Sequence, residues 1–192
     1  MDLEEKTIRK IYRYRGRICN LRDDDAMLPD GRIVSREVVE HVNGVCVLPV
    51  TASGDVILVR QYRYPYGVNL LELPAGRLEK DESPLQGAAR ELREETGMTA
   101  AHWYELGTDY PSTGYIDEVI HLYAADGLTD VGQKLDDGEY LEVVTMPYGE
   151  ALDRCLAGEF PDSKTQILLL KYRLLQETGR LASMEKEGPS CS

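Results

Sequence analysis

The chain has 192 residues and a formal charge of −12, set by 34 acidic against 22 basic side chains. That excess of negative charge excludes nucleic-acid backbones and anionic membrane surfaces as partners, so any phosphate ligand has to be met locally, by metal ions and a few arginines. Cys19, Cys46, Cys155 and Cys191 form no Cys-x-x-Cys pair, and with only three scattered histidines they suggest neither a disulfide framework nor a zinc site; small apolar filler is their expected role, with Cys191 a loose tail residue.

In chain order, M-D-L-E-E-K at the start lacks the basic-then-apolar pattern of a secretion signal. No apolar run approaches the roughly 18 residues of a membrane helix, so a soluble cytoplasmic protein is expected. Residues 7–42 predict a small N-terminal antiparallel β subdomain. Its segments I-Y-R-Y-R-G-R-I and R-I-V-S-R-E-V-V-E-H alternate in polarity, and Asp30-Gly31 signals a hairpin. Strands are predicted at 45–50 and 56–63, joined by the turn Ala52–Asp55, then at 70–73, 103–106 and 119–124. An acidic, glycine-containing loop (126–139) precedes a strand at 140–146. Two helices follow. Residues 148–157 place Ala151, Leu152, Cys155 and Leu156 on one face, and residues 164–177 turn Ile167, Leu168, Leu170, Leu174 and Leu175 inward before Gly179. The order predicts an α+β fold, a mixed sheet with helices on its faces. The expected divisions are 1–43 for the β subdomain, 44–180 for the main domain and 181–192 for a disordered tail.

The most informative stretch is Gly76–Met98, G-R-L-E-K-D-E-S-P-L-Q-G-A-A-R-E-L-R-E-E-T-G-M. Ser83 suits an N-cap, Pro84 the first helical position and Gly97 a left-handed terminus. Between them Leu85, Ala88, Ala89 and Leu92 make one apolar stripe. At about 100° per residue, Glu91, Glu94 and Glu95 share an adjoining face, with Arg90 and Arg93 on the opposite side. Like charges at this spacing cost a few tenths of a kcal/mol per pair in an isolated helix. Most glutamate runs are solvated faces, but those interleave lysine at the fourth position, whereas Glu91 here meets Glu95. Clustered carboxylates without a partner cation suit hard, oxygen-seeking ions such as Mg²⁺.

The same stretch fits every fixed position of G-x5-E-x7-R-E-U-x-E-E-x-G-U, with U aliphatic, and so resembles the Nudix box. Four further segments resemble the ADP-ribose pyrophosphatase branch of that family: R-E-V-V-E-H (36–41); V-R-Q-Y-R-Y-P (59–65) with L-E-L-P-A-G (71–76); P-S-T-G-Y-I-D-E (111–118); and D-D-G-E-Y-L-E-V (136–143). The resemblance spans roughly residues 8–176 and implies an α/β/α sandwich that hydrolyses a pyrophosphate bond with Mg²⁺ or Mn²⁺. Where the branch has proline between serine and glycine, this chain has Thr113, which makes a related nucleotide sugar such as GDP-mannose a second candidate.

By the same resemblance, Ala75 would offer its carbonyl to a metal, Glu91 and Glu95 would be the principal ligands, and Glu94 would assist. Gly76, Glu82, Arg90 and Gly97 would be structural supports, Arg90 orienting a box glutamate. Glu139, with Asp137 two residues away, would bind metal or act as base. Gln61 and Arg63 alternate on one strand face, where a guanidinium could clamp a diphosphate. Arg36, Glu37 and Thr113 would contact substrate, and relatives imply a homodimer built partly through the N-terminal strands. Tyr12 and Tyr14 are expected at an interface or in the core, with stacking on a base as the alternative. The rival of a different class is a non-catalytic ADP-ribose-binding sensor. All four box glutamates are present and no basic helix-turn-helix segment is seen, so the sequence favours the hydrolase.

Overall fold

The structure is a computed structural model and describes residues 3–135 and 137–189; Cys191 and the end of the expected tail lie outside the described residues. It opens with β1 (Lys6–Arg9) and β2 (Tyr12–Arg15), which follow each other along one side of β3 (Cys19–Met27). The other side of β3 is paired along its whole length by β4 (Ile33–His41). The hairpin expected at Asp30-Gly31 forms, with Gly31 at φ +88, a left-handed conformation that favours glycine.

Strand β3 lies between the two alternating segments named above, and its consecutive aspartates are poor strand formers. The structure offsets that deficit with charge pairs. Asp23 meets Arg13 and Asp25 meets Arg9 across the sheet, each at 2.7 Å, while Asp24 meets Arg22 on the same face at 3.2 Å. These strands form one compact unit (Met1–Asn43), which also takes in Tyr110–Val119 from the middle of the chain. That segment docks on β4: the Val39 N–H donates to the Tyr115 carbonyl at 2.7 Å, and Asp117 Oδ1 accepts the His41 N–H at 2.8 Å. Tyr12 and Tyr14 are exposed rather than packed in this unit, Arg15 lying over the Tyr12 ring.

The second unit (Gly44–Asp109 with Ile120–Ser192) holds the remaining elements. In chain order these are β5 (Gly44–Pro49), β6 (Asp55–Arg63), β7 (Val68–Glu72), β8 (Ala75–Arg77), α1 (Pro84–Thr96), β9 (Met98–Thr99) and β10 (His102–Asp109). They continue with β11 (Ile120–Asp126), β12 (Thr129–Asp130), β13 (Leu141–Pro147), α2 (Tyr148–Leu156), α3 (Ser163–Glu177), a 3-10 turn (Leu181–Met184) and β14 (Glu185–Lys186). A mixed sheet runs β14-β10-β11-β5-β8, with β11 and β5 parallel, and an antiparallel sheet runs β13-β6-β7. Although consecutive, β5 and β6 belong to different sheets, and Val50, just past β5, forms an isolated bridge with Val56 of β6.

Alternation along β5 explains the layering. Val45 and Val47 pack with Ala88 and Leu92 of α1 and with Trp103 and Tyr123. Cys46 and Leu48 face the other way, onto Leu168, Leu169 and Tyr172 of α3. Helices on both faces of the mixed sheet make this unit the expected α/β/α sandwich. Each such fully buried aliphatic side chain contributes about 1.5–3 kcal/mol relative to exposure. Cys46 and Cys155 are buried in the core, as expected of apolar filler.

Three expectations need correction. The buried stripe of α3 is Thr165, Leu168, Leu169, Tyr172 and Leu175, which leaves Leu170 and Leu174 at 38% and 60% exposure. A tyrosine, not a leucine, fills the inward position between Leu168 and Leu175, so the apolar stripe is rotated from the one the leucines suggest. Leu156 on α2 is likewise exposed. Finally, residues 181–186, expected in a disordered tail, are ordered because β14 pairs with the edge strand β10 and Lys186 reaches Glu105 at 3.2 Å. No helix among the described residues is long and apolar enough to cross a membrane.

Candidate active site

Helix α1 is fixed at both ends by its own sequence. Ser83 Oγ accepts the Gln86 N–H while the Gln86 side chain accepts the Ser83 N–H, Pro84 begins the helix, and Gly97 ends it at φ +75. Its carboxylates then meet β8. Glu95 is buried at 1% exposure, and its Oε2 accepts the Ala75 N–H at 2.9 Å. Glu91 lies against Gly76, where any Cβ would overlap its carboxylate, so the box needs glycine at that position for close approach. The contact the structure gives Ala75 is through its N–H.

Arg90 does not stand apart from the carboxylates. Its Nε and Nη2 donate to the two oxygens of Glu82 at 2.9 and 3.0 Å, and its Nη1 donates to Glu91 at 2.8 Å and Glu94 at 2.9 Å. Nη2 also reaches the Arg77 carbonyl at 2.9 Å. The flexible stem carries the guanidinium back across the helix face, which helical angles alone do not reveal. The expectation of carboxylates with no partner cation therefore fails for Glu91 and Glu94. It holds better for Glu95, whose carboxylate is met by a backbone amide.

One arginine does not neutralise this group. Burial pushes the Glu95 carboxyl up to about 8, reinforced by the charges of Glu91 and Glu139 and opposed by the Ala75 N–H and Arg63. Burial likewise raises Glu91, with Glu94 and Glu139 adding and Arg90 opposing. Glu82 is instead lowered, chiefly by its hydrogen bonds from Arg90. The structure thus brings Glu82, Arg90, Glu91, Glu94 and Glu95 together and places Glu139 within electrostatic reach, while Asp137 is exposed. Among the described residues no three acidic, histidine or cysteine side chains already converge as a metal cage. Arg90 and Ala75 hold the glutamates instead. The donor set still fits a hard divalent cation: all its side-chain ligands are carboxylate oxygens, and two of them are disfavoured in the charged state by burial and mutual repulsion.

The loop before Glu139 is stitched to the end of α1, a feature the sequence did not signal. The Val131 N–H donates to the Gly97 carbonyl at 2.8 Å, the Lys134 N–H to the Glu94 backbone carbonyl at 3.2 Å and Gln133 Nε2 to the Glu95 backbone carbonyl at 2.5 Å. A Cβ on Gly97 would stand 2.6 Å from the Gln133 nitrogen, so Gly97 serves both helix termination and this docking.

Arg63 is not a free clamp. Its Nε and Nη2 grip Glu72 in a two-pronged pair at 2.7 and 2.8 Å, and Glu72 is 1% exposed. Lys164 Nζ donates to Glu72 at 3.0 Å and to Asp162 at 2.6 Å. Glu72 and Lys164 are separated by 92 positions in the chain, so no local pattern could have announced them. Gln61 sits half-buried on the same face of β6 as Arg63.

Arg36, Glu37 and Thr113 do come together, within the first unit. They line a cavity of about 270 Å³ with Arg22 and Asp24. Arg36 is engaged by Glu5 through two bonds of 2.8 Å.

The NUDIX domain family matches residues 40–168. The chain is 40% identical to an ADP-ribose pyrophosphatase of Bacillus subtilis (strain 168), covering 92% of this chain and 96% of that one. It is 39% identical to a methanol dehydrogenase activator of Bacillus methanolicus (91% and 95% covered). Against a GDP-mannose pyrophosphatase of Yersinia enterocolitica it is 38% identical (71% and 76% covered). Among solved structures, an ADP compounds hydrolase superposes with a TM-score of 0.80 at 22% identity, over 94% of this chain and 99% of that one, which speaks to the fold.

Proposed function

The chain belongs to the Nudix family, and from that premise we propose that it hydrolyses the pyrophosphate bond of ADP-ribose, or a similar nucleoside diphosphate sugar, to a nucleoside monophosphate and a sugar phosphate. The observation that carries the chemistry is the buried, under-neutralised carboxylate group on α1, centred on Glu95. Nudix hydrolases generally need divalent metal ions; for this chain the proposed ion is Mg²⁺, with Mn²⁺ as substitute. Glu91, Glu94 and Glu95 would hold it, helped by the Ala75 carbonyl. When bound, such ions offset charge on the diphosphate, polarise phosphorus and lower the pKa of the attacking water.

The chain's own groups supply the rest. Glu139, or Asp137 beside it, takes the proton from water as its oxygen bonds to phosphorus and the bond to the bridging oxygen breaks. Arg63 offers charge to the diphosphate. Arg90 orients Glu91 and Glu94, consistent with its four carboxylate bonds. For the cavity in the first unit, the reading is a contact surface for the substrate through Arg36, Glu37 and Thr113. A homodimer belongs to the same reading, supported by exposed Ile8, Tyr14 and Ile33 on that small sheet.

GDP-mannose is the second reading, favoured by Thr113 and by the GDP-mannose pyrophosphatases among the relatives. The test is a screen of nucleoside diphosphate derivatives with Mg²⁺ in heavy-oxygen water, scored by product mass. ADP-ribose should rank first or second, with turnover of at least one other nucleotide sugar. A preference for dinucleoside polyphosphates or coenzyme A would contradict the proposal.

A further inference from the structure

The network around Glu72 closes into a ring, and the ring ends on a side chain that the hydrolysis needs. Glu72 Oε2 accepts Lys164 Nζ at 3.0 Å, and Lys164 also donates to Asp162 Oδ1 at 2.6 Å. Asp162 is the N-cap of α3, where its Oδ2 accepts the Thr165 N–H at 3.0 Å and the Thr165 hydroxyl at 2.6 Å. That hydroxyl oxygen accepts the Leu73 N–H at 2.9 Å, beside Glu72 in the chain. Every rotatable member is thus held at two points, and the Glu72 carboxylate is locked in azimuth as well as position. The locked carboxylate faces Arg63 and takes its Nε and Nη2. Neither bond uses Nη1. Arg63 keeps 35% side-chain exposure while Glu72 has 1% and Lys164 12%, so the quartet is buried at the lysine end and open at the arginine end.

Stability alone does not account for this arrangement. Burying two ion pairs costs desolvation that their attraction barely repays, and well-packed apolar residues of similar volume are often as stable. The arrangement does supply a guanidinium with one edge fixed and another left over, at a distance from which its charge still acts on Glu95. Resting on the hydrolase reading above, we propose that Lys164 and Glu72 are positioning residues for the diphosphate: they fix the Nε–Nη2 edge of Arg63 so that Nη1 is presented to a phosphate oxygen. Lys164 touches no substrate in this account and acts only through Glu72 and Arg63.

The test is a double-mutant cycle on Lys164→Met and Arg63→Ala in the full chain. Its readouts are calorimetric affinity for the non-hydrolysable α,β-methylene analogue of ADP-ribose, KM and kcat for ADP-ribose with Mg²⁺, and Tm. Lys164→Met should weaken analogue binding about tenfold and raise KM more than it lowers kcat, and in the Arg63→Ala background it should cost almost nothing further. Lys164→Arg should restore most of the affinity. Should Lys164→Met fail to fold, Asp162→Asn keeps the helix cap while weakening the hold on Lys164, and should show the same pattern at about two- to threefold. Affinity unchanged in these variants, or losses that add fully to those of Arg63→Ala, would overturn the inference while leaving the hydrolase reading intact. A wild-type protein that neither binds the analogue nor cleaves ADP-ribose would overturn both.

Discussion

Two buried charge groups flank Leu73–Pro74, and they are built on opposite principles. On one side Glu72 and Asp162 are matched by Arg63 and Lys164, two anions to two cations, each bonded to its partners. On the other, Glu82, Glu91 and Glu94 share a single arginine, Arg90, Glu95 is met by a backbone amide, and the charge of Glu139 acts on Glu91 and Glu95 as well. Burial is comparable, with Glu72 and Glu95 both at 1% exposure. A balanced group is complete without a ligand. An unbalanced one is complete only with added positive charge, and that difference separates a group that positions an arginine from one that calls for a metal.

The largest expected effect breaks the unbalanced group. Glu95→Gln keeps shape but removes a ligand charge, so turnover of ADP-ribose should fall by about three orders of magnitude, the scale of several kcal/mol of lost metal-borne stabilisation. Thermal unfolding without metal should be no earlier than in the wild type, since a buried repelled carboxylate has been neutralised. A variant that keeps near-normal activity would dissolve the contrast. In the balanced group the same logic inverts. Glu72→Ala leaves Arg63 without its anion and buried Lys164 with Asp162 alone, and should cost about 3 kcal/mol in denaturant unfolding. If Glu72→Ala were neutral, that group would not be held together by its ion pairs.

Much of the unbalanced group was legible in the sequence because it is local. The cap at Ser83, the stop at Gly97 and the glutamate face of α1 all lie within one helix, where spacing determines geometry. The balanced group was not legible, because Lys164 and Asp162 come from α3 and Glu72 from β7, and only the fold brings them together. Arg90 shows a third case: helical angles set it opposite the glutamates and only the family resemblance paired it with one, since a long side chain can curl onto a face that its Cα does not occupy. Strand β3 is a related case. Its three aspartates argue against a strand until Arg13 and Arg9 are placed opposite. Alternation found most other strands but could not show that β5 and β6, adjacent in sequence, join different sheets.

Smaller effects sharpen the contrast. Gly76→Ala puts a methyl group where the Glu91 carboxylate lies; the flexible side chain can move aside, so stability should change by about 1 kcal/mol or less while activity falls, because the displaced group is a ligand. Smallest of all should be Arg60→Ala. Its partner Glu142 is exposed at 65%, and such surface pairs contribute about 0–1 kcal/mol, so both denaturation midpoint and turnover should hardly move. A large loss there would mean that charge pairing in general, rather than these two buried groups, governs the molecule.

The claim that the α1 carboxylates lack their cation is tested most directly by calorimetric titration of the protein with Mg²⁺, wild type against the double variant Glu91→Gln/Glu95→Gln. The wild type should bind saturably and gain about 2.7 kcal/mol of stability at a hundredfold excess over Kd, seen as a raised Tm. The double variant should lose both the binding and the rise in Tm while remaining folded. Equal binding by the two proteins, or no binding by the wild type, would contradict the account.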